Sequence, residues 1–126
     1  LLAGGEVPAS EAVARALKAR IEPSQLSLSS DANASLPEFD DQHRFIGLKP
    51  GKLSSLFEVL GECIHEHQIS MEHALHCAST TAANALKLPQ KGRLTTGSDA
   101  DFIVLSEERW AIDHVWALGK PIFSAG

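Results

Sequence analysis

The chain has 126 residues, with 11 Lys+Arg against 16 Asp+Glu for a formal net charge of −5, and it is 44% hydrophobic and 21% charged. These are globular rather than disordered proportions, and the acidic balance argues against a nucleic-acid partner, whose phosphates require a clustered basic surface. No apolar run approaches the ~20 residues of a membrane-spanning helix, so no membrane partner is expected.

The opening Leu1-Leu2-Ala3-Gly4-Gly5-Glu6 has neither a basic stretch nor a long apolar one and does not read as a signal peptide. The only Met is Met71, which suggests a piece of a longer protein. Ser10 to Arg20 reads as a helix, with Ala12, Val13, Ala16 and Leu17 on one stripe, Ser10 as its cap and basic residues near its end. After Pro23, Leu26-Ser27-Leu28-Ser29-Ser30-Asp31 alternates with period two and predicts a short strand. Leu26 and Leu28 share one face; Ser27, Ser29 and Asp31 share the other. Helix followed by strand points to an α/β unit. From Asn33 to Gly51 the chain reads as a loop punctuated by Pro37, Asp40-Asp41, Gly47 and Pro50-Gly51. Loops of that length in compact domains are usually functional, and this one starts beside Asp31.

A second helix is expected from Lys52 to His67, with Leu53, Leu56, Phe57, Leu60, Cys63 and Ile64 as its apolar stripe. Ser70 opens a third, reaching Leu86, with Ala74, Leu75, Ala78, Ala82, Ala85 and Leu86 inward, and with a weak Ile69–Ala74 hydrophobic staple. The composition changes at Leu88-Pro89. Beyond it a turn-rich stretch feeds an apolar strand ending at Leu105, Ile112 to Leu118 reads as another, Gly119-Lys120 as a tight turn, and Pro121-Ile122-Phe123 as the start of a last strand. The expected division is therefore 1–87 and 88–126, the second part a separate β-rich layer.

Asp31 is the strongest candidate for chemistry, because α/β barrels place catalytic groups at the C-terminal ends of their strands. The plainer reading is an Asx-turn. His65-Glu66-His67 has the form HxH, but in a helix residues two apart point about 200° apart and cannot share an ion. Cys63 with His67 and His73 with Cys77 are four apart, and His73 and His76 share a face. A zinc bridging these helices is the sharper reading; surface or core residues are the simpler one, and no CxxC or HExxH spacing favours the metal. With no secretory context, Cys63 and Cys77 read as buried free thiols in a reducing, cytoplasmic compartment. Trp110 and Trp116 read as packing residues. Gly92, Gly97, Gly119 and Gly126 punctuate turns rather than cradle a phosphate, and Ser29, Ser30 and Ser35 have no neighbouring His to activate a nucleophile.

Two segments carry a family resemblance. Leu28-Ser29-Ser30-Asp31-Ala32-Asn33-Ala34-Ser35, followed by Leu36-Pro37 and Phe39-Asp40-Asp41, resembles the strand-eight segment of bacterial isoaspartyl (β-aspartyl) dipeptidases, metal-dependent members of the amidohydrolase superfamily. Gly92-Arg93-Leu94-Thr95-Thr96-Gly97-Ser98-Asp99-Ala100-Asp101-Phe102-Ile103-Val104-Leu105 resembles the superfamily's exit from the barrel into its small β domain. The resemblance implies the C-terminal third of such an enzyme. Residues 1–87 would hold the last strand and C-terminal helices of a (β/α)8 TIM-like barrel, and 88–126 the closing strands of a small β-sandwich domain. It implies that Asp31 is a zinc ligand and the general base, that Ser35 contacts a small dipeptide substrate, and that the remaining ligands of a binuclear zinc centre lie outside this chain. It further implies a cytoplasmic homo-oligomer. Ala32 and Ala34 stand where the family motif has glycines; a positive φ at either would cost about 1 kcal/mol or more. Two alternatives remain open on the sequence. One is another amidohydrolase, such as a dihydroorotase, a deaminase or an N-acyl amino-acid hydrolase. The other is a non-catalytic α+β interaction domain.

Overall fold

The computed structural model describes residues 7–106 and 108–126, so the reading of Leu1-Leu2-Ala3-Gly4-Gly5-Glu6 lies outside the described residues. The chain forms two compact units that divide between Ala78 and Ser79. Helices and two small antiparallel sheets give mixed α and β content.

The first unit opens with α1, Ala9–Lys18, whose N-cap is Pro8 in an extended conformation. The helix therefore starts one residue early, and Ser10 is not its cap. Ser10 instead lies buried in the first turn and donates from Oγ to Glu62 Oε2 at 2.7 Å. That pulls the buried face round to Ala9, Ser10, Val13 and Ala14, leaving Ala12, Ala16 and Leu17 half-buried. A 3-10 turn at Pro23–Gln25 leads into Leu26–Asp31, which starts extended at Leu26, ends left-handed at Asp31 and forms no strand among the described residues. A strand needs a ladder partner, and no described residue pairs with this stretch. Its alternation survives as burial: Leu28 is buried and Leu26 half-buried, while Ser27 and Ser29 are exposed.

Residues 33–51 are not a structureless loop. Ser35–Phe39 (β1) and Phe45–Pro50 (β2) form an antiparallel hairpin, with Ser35 opposite Pro50 and a bulge at Glu38/Phe39. Pro37 is compatible because each strand of a two-stranded ribbon has a free edge. Asp40 builds the turn: Oδ1 accepts the N–H groups of Gln42 and Arg44 at 2.9 Å each, and Oδ2 accepts Arg44 Nε at 2.8 Å. The Arg44 backbone N–H, then its guanidinium, holds the Asp40 carboxyl below the usual carboxylate range.

Helix α2 spans Ser55–His65 and packs on α1. It begins three residues later than the pattern suggests, after a turn at Leu53-Ser54, so Leu53 is exposed rather than part of the stripe. Leu60, Gly61 and Cys63 form its buried centre. Helix α3, Met71–Leu75, packs on α2, and Ser70 caps it by accepting the His73 N–H at 3.3 Å. The helical run then passes through a π turn, His76–Thr80, into α4, Thr81–Ala85. A π turn holds an extra residue and rotates the following face. Past it Thr81 and Ala83 are buried, whereas Ala85 and Leu86, expected inward, are exposed. Cys63 and Cys77 are buried free thiols, as expected.

The second unit holds α4 and a three-stranded antiparallel meander of β3 (Phe102–Ser106), β4 (Ala111–Ala117) and β5 (Lys120–Ser124). Phe102 lies opposite Trp116 and their rings stack with centroids 5.6 Å apart, which realises the packing role of that tryptophan. The β4–β5 turn is Leu118-Gly119, one residue earlier than expected, with φ of 49° and 73°. Two consecutive positive φ values define the type I′ turn, which glycine adopts without strain at its second position. The turn is caught from the start of β3. Asp101 Oδ1 accepts the Leu118 N–H at 2.7 Å, and the Ala100 carbonyl accepts the Gly119 N–H at 3.0 Å. Lys91 clamps the same place through ion pairs to Asp101 and, at 2.9 Å, to Asp99. The Gly-Ser-Asp-Ala-Asp-Phe stretch is thus the anchor of a turn.

The Lys91 ammonium, then the Leu118 N–H, holds the Asp101 carboxyl below its ordinary range. A carboxylate with a depressed folded pKa stabilises above its unfolded pKa and loses that contribution as pH falls through the folded value. Asp101→Ala should therefore speed amide exchange at Leu118 by roughly tenfold near neutral pH. It should also abolish the acid-side loss of protection seen with Asp101 present. Amide hydrogen exchange followed against pH checks both.

Candidate active-site segment

The segment that ends at Asp31 is held from three directions. Behind it, the Leu28 N–H donates to the Cys77 carbonyl at 3.1 Å, and the Cys77 thiol donates to the Pro23 carbonyl at 3.7 Å. From the start of α2, Ser55 Oγ donates to the Ser30 carbonyl at 3.0 Å. Within the segment, the Asp31 and Ala32 N–H groups donate to the hydroxyls of Ser29 and Ser30 at 3.3 Å each. These two serines, which lack a base to make them nucleophiles, therefore act on the backbone around the acid.

Asp31 itself adopts φ 50°, and Asn33 adopts φ 63°. The Asp31 carbonyl accepts the Ala34 N–H at 3.1 Å and closes a turn over residues 31–34. Gly51, at the far end of the hairpin, accepts the Asn33 N–H at 3.1 Å and donates to the Ala34 carbonyl at 2.9 Å. Neither Ala32 nor Ala34 has a positive φ. The left-handed positions fall on Asp31 and Asn33, residue types that tolerate them, so the alanines carry no left-handed strain. Ser35 begins β1 and is exposed. Asp31 is half-buried as a residue, and among the described residues its carboxylate accepts no hydrogen bond and joins no ion pair. The side-chain bond of an Asx-turn is therefore not among its interactions.

Among the described residues no three His, Cys, Asp or Glu side chains converge as a metal site. Zinc requires at least three protein ligands, so the donors described here do not by themselves fit a zinc ion; Asp31 stands as one carboxylate. The Cys63 thiol is pushed up to about 11 by burial first, with Cys77 and Glu62 adding to it, and burial also raises Cys77. Such thiols are poor metal ligands and poor nucleophiles, because the thiolate is the reactive form. Among the described residues no helix is long and apolar enough to cross a membrane.

The sequence singled out Asp31 and Ser35 as candidates and did not single out Gly51 or Ser55, whose bonds reach the same stretch. Pro50-Gly51 read as loop punctuation, and the only further signal was that a polar residue opens α2.

The model of the amidohydrolase family matches residues 7–122, and the chain belongs to that family. Among solved structures it is similar to β-aspartyl dipeptidase from Fervidobacterium islandicum AW-1 in complex with β-Asp-Leu dipeptide. The identity is 29% and the TM-score 0.82, covering 94% of this chain and 31% of that one. N-acetylglucosamine-6-phosphate deacetylases share the fold. The Thermotoga maritima protein is 15% identical at a TM-score of 0.69, covering 92% of this chain and 36% of its own. The Pasteurella multocida protein is 13% identical at 0.68, covering 96% and 35%. The chain thus spans about a third of the length of these relatives.

The Cys63 and Cys77 surroundings generate a direct check. Both thiols should be inert to Ellman's reagent at about pH 8 until the protein is denatured, and Cys63→Ser should leave the zinc content of the purified protein unchanged. Stoichiometric zinc that disappears on Cys63→Ser would establish a structural metal between the two helices.

Proposed function

We propose that this chain is the C-terminal third of a zinc-dependent β-aspartyl dipeptidase, with residues 1–87 completing a (β/α)8 barrel and 88–126 contributing strands of a small β-sandwich domain. The observation that supports this most is the likeness to the Fervidobacterium dipeptidase: 29% identity and a TM-score of 0.82 over 94% of the chain. Exposed apolar side chains agree with it. Leu48, Leu53, Leu86, Leu94 and Ile122 are each at least 64% exposed, and further chain of the intact protein would cover them. In this reading the intact enzyme is a cytoplasmic homo-oligomer that acts on small dipeptides.

Zinc belongs to the reading as an ion whose other ligands lie outside the chain. What this chain itself supplies is a proton acceptor. Asp31, half-buried as a residue, offers a carboxylate with no partner among the described residues, on a backbone held at several points. It would take the proton of the water that attacks the amide carbon and return it to the leaving α-amine. Ser35 opens β1 directly after that turn and would contact the dipeptide. In an isoaspartyl bond the side-chain carboxyl carries the linkage, so selectivity rests on reading the displaced α-carboxylate and α-amine.

Asp31→Asn in the full-length protein tests the assignment. Asn is nearly the same size but takes no proton near neutral pH. Turnover of β-Asp-Leu should fall by about 10²–10⁴, in kcat rather than KM, with the fold unchanged. A purely structural role for Asp31 predicts the opposite, since its bonds are made by the main chain and Asn keeps them; near-wild-type kcat would remove Asp31 from the mechanism. α-Asp-Leu should not be turned over, and hydrolysis of N-acetylglucosamine 6-phosphate in place of β-Asp-Leu would replace the reading with the deacetylase one.

Ser35→Ala should weaken kcat/KM for β-Asp-Leu by about 1–3 kcal/mol without changing zinc content. Unchanged kinetics would take Ser35 out of the substrate site.

A further inference from the structure

We infer that Gly51 and Ser55 are positioning residues for Asp31, Gly51 by letting the hairpin backbone lie against the Asp31 carbonyl and Ser55 by holding the carbonyl just before it; this rests on Asp31 acting in the reaction as proposed above. Gly51 is buried and its φ is not positive, so glycine is needed there for space and not for conformation. A Cβ on Gly51 would collide with the Asp31 carbonyl oxygen, standing 3.2 Å from the carbonyl carbon and 3.6 Å from Ala32 Cα. All three atoms are backbone, so no side chain can swing aside. Gly51 is also tied to the turn by both its peptide groups, through the Asn33 N–H at 3.1 Å and the Ala34 carbonyl at 2.9 Å. The consequence of any added atom is a displaced Asp31.

Ser55 completes the hold. Its hydroxyl donates to the Ser30 carbonyl at 3.0 Å from the first residue of α2. Asp31 is thus fixed on its N-terminal side by a helix and on its C-terminal side by the closing end of a hairpin. The carboxylate is left for chemistry while the main chain makes the structural bonds. Hairpin and helix follow one another in sequence, and Gly51 and Ser55 sit at their junction. One short stretch therefore sets the acid from both sides.

The experiment is a double-mutant cycle in the full-length protein with β-Asp-Leu as substrate. Gly51→Ala should lower kcat by about 10- to 100-fold, the effect of a displacement on the order of 1 Å at a reacting group. Ser55→Ala should lower it by roughly threefold to tenfold, with Ser55→Thr, which keeps the donor hydroxyl, within about twofold of wild type. In an Asp31→Asn background each of these changes should alter the residual rate by less than about twofold, because coupled residues are non-additive. Amide exchange at Asn33 and Ala34 should quicken in Gly51→Ala whether or not Asp31 is present. Wild-type kcat in Gly51→Ala, or an equal loss in the wild-type and Asp31→Asn backgrounds, overturns the positioning role and leaves the proton-acceptor assignment standing. An active Asp31→Asn overturns that assignment itself. Should Gly51→Ala fail to fold, the Ser55→Ala and Ser55→Thr pair decides by the same cycle: equal kcat in both overturns the inference.

Discussion

Backbone N–H and C=O groups must find partners wherever the chain leaves water, and among the described residues the stretch ending at Asp31 pairs with no strand. The first unit is organised by that constraint. The Leu28 N–H finds a carbonyl in the π turn of the third helical run, the Ser30 carbonyl finds the Ser55 hydroxyl, and the residues after Asp31 turn back onto Gly51. Each partner comes from a different element: a helical run, the start of α2, and the end of the hairpin. Their mutual packing is therefore expressed at one point, the conformation of Asp31.

Two aspartates, Asp31 and Asp101, show how differently the same residue type can be held. Asp101 is committed to structure. Its carboxylate is engaged by Lys91 and by the Leu118 N–H, and its depressed pKa reports that commitment. Asp31 is arranged the other way round. Its carbonyl and amide are bonded, and its carboxylate takes no partner among the described residues. Partnered carboxylates are stabilised as anions and make poorer proton acceptors. The contrast lies in what each side chain touches: Asp101 is tied into the scaffold, and Asp31 is the one proposed to act in the reaction.

The sequence made the amphipathic helices and the final β-rich part legible, because their periodicities run over many residues. Where it misled, a tertiary partner or a backbone irregularity outweighed the local pattern. Leu26–Asp31 alternates like a strand but has no ladder partner among the described residues. The hairpin at residues 35–50 was hidden by Pro37 and Gly47, which weaken strand signals, and its turn depends on one side chain, Asp40, accepting from residues two and four positions on. The face of the third helical run changes at a π turn that no composition marks, so Ala85 and Leu86 point outward while Thr81 and Ala83 are buried. At the candidate site the acid and the serine after it were readable as a motif. Gly51 and Ser55 were not, since their importance comes from a close approach across the hairpin, not from spacing.

The alanines at 32 and 34 look like departures that should deform the loop, yet the left-handed conformations fall on Asp31 and Asn33. A non-glycine residue in the left-handed region costs on the order of 1–2 kcal/mol, and it persists only where its surroundings over-determine it. Here they do: the turn bond from Ala34, the two bonds to Gly51 and the Ser55 hydroxyl all act on the short stretch from Ser30 to Ala34. The requirement for glycine has not vanished from this loop. It is met at Gly51, where the need is room for a carbonyl oxygen rather than freedom of φ. The left-handed residue and the missing side chain meet at one contact: the Asp31 carbonyl occupies the space that a Cβ on residue 51 would take.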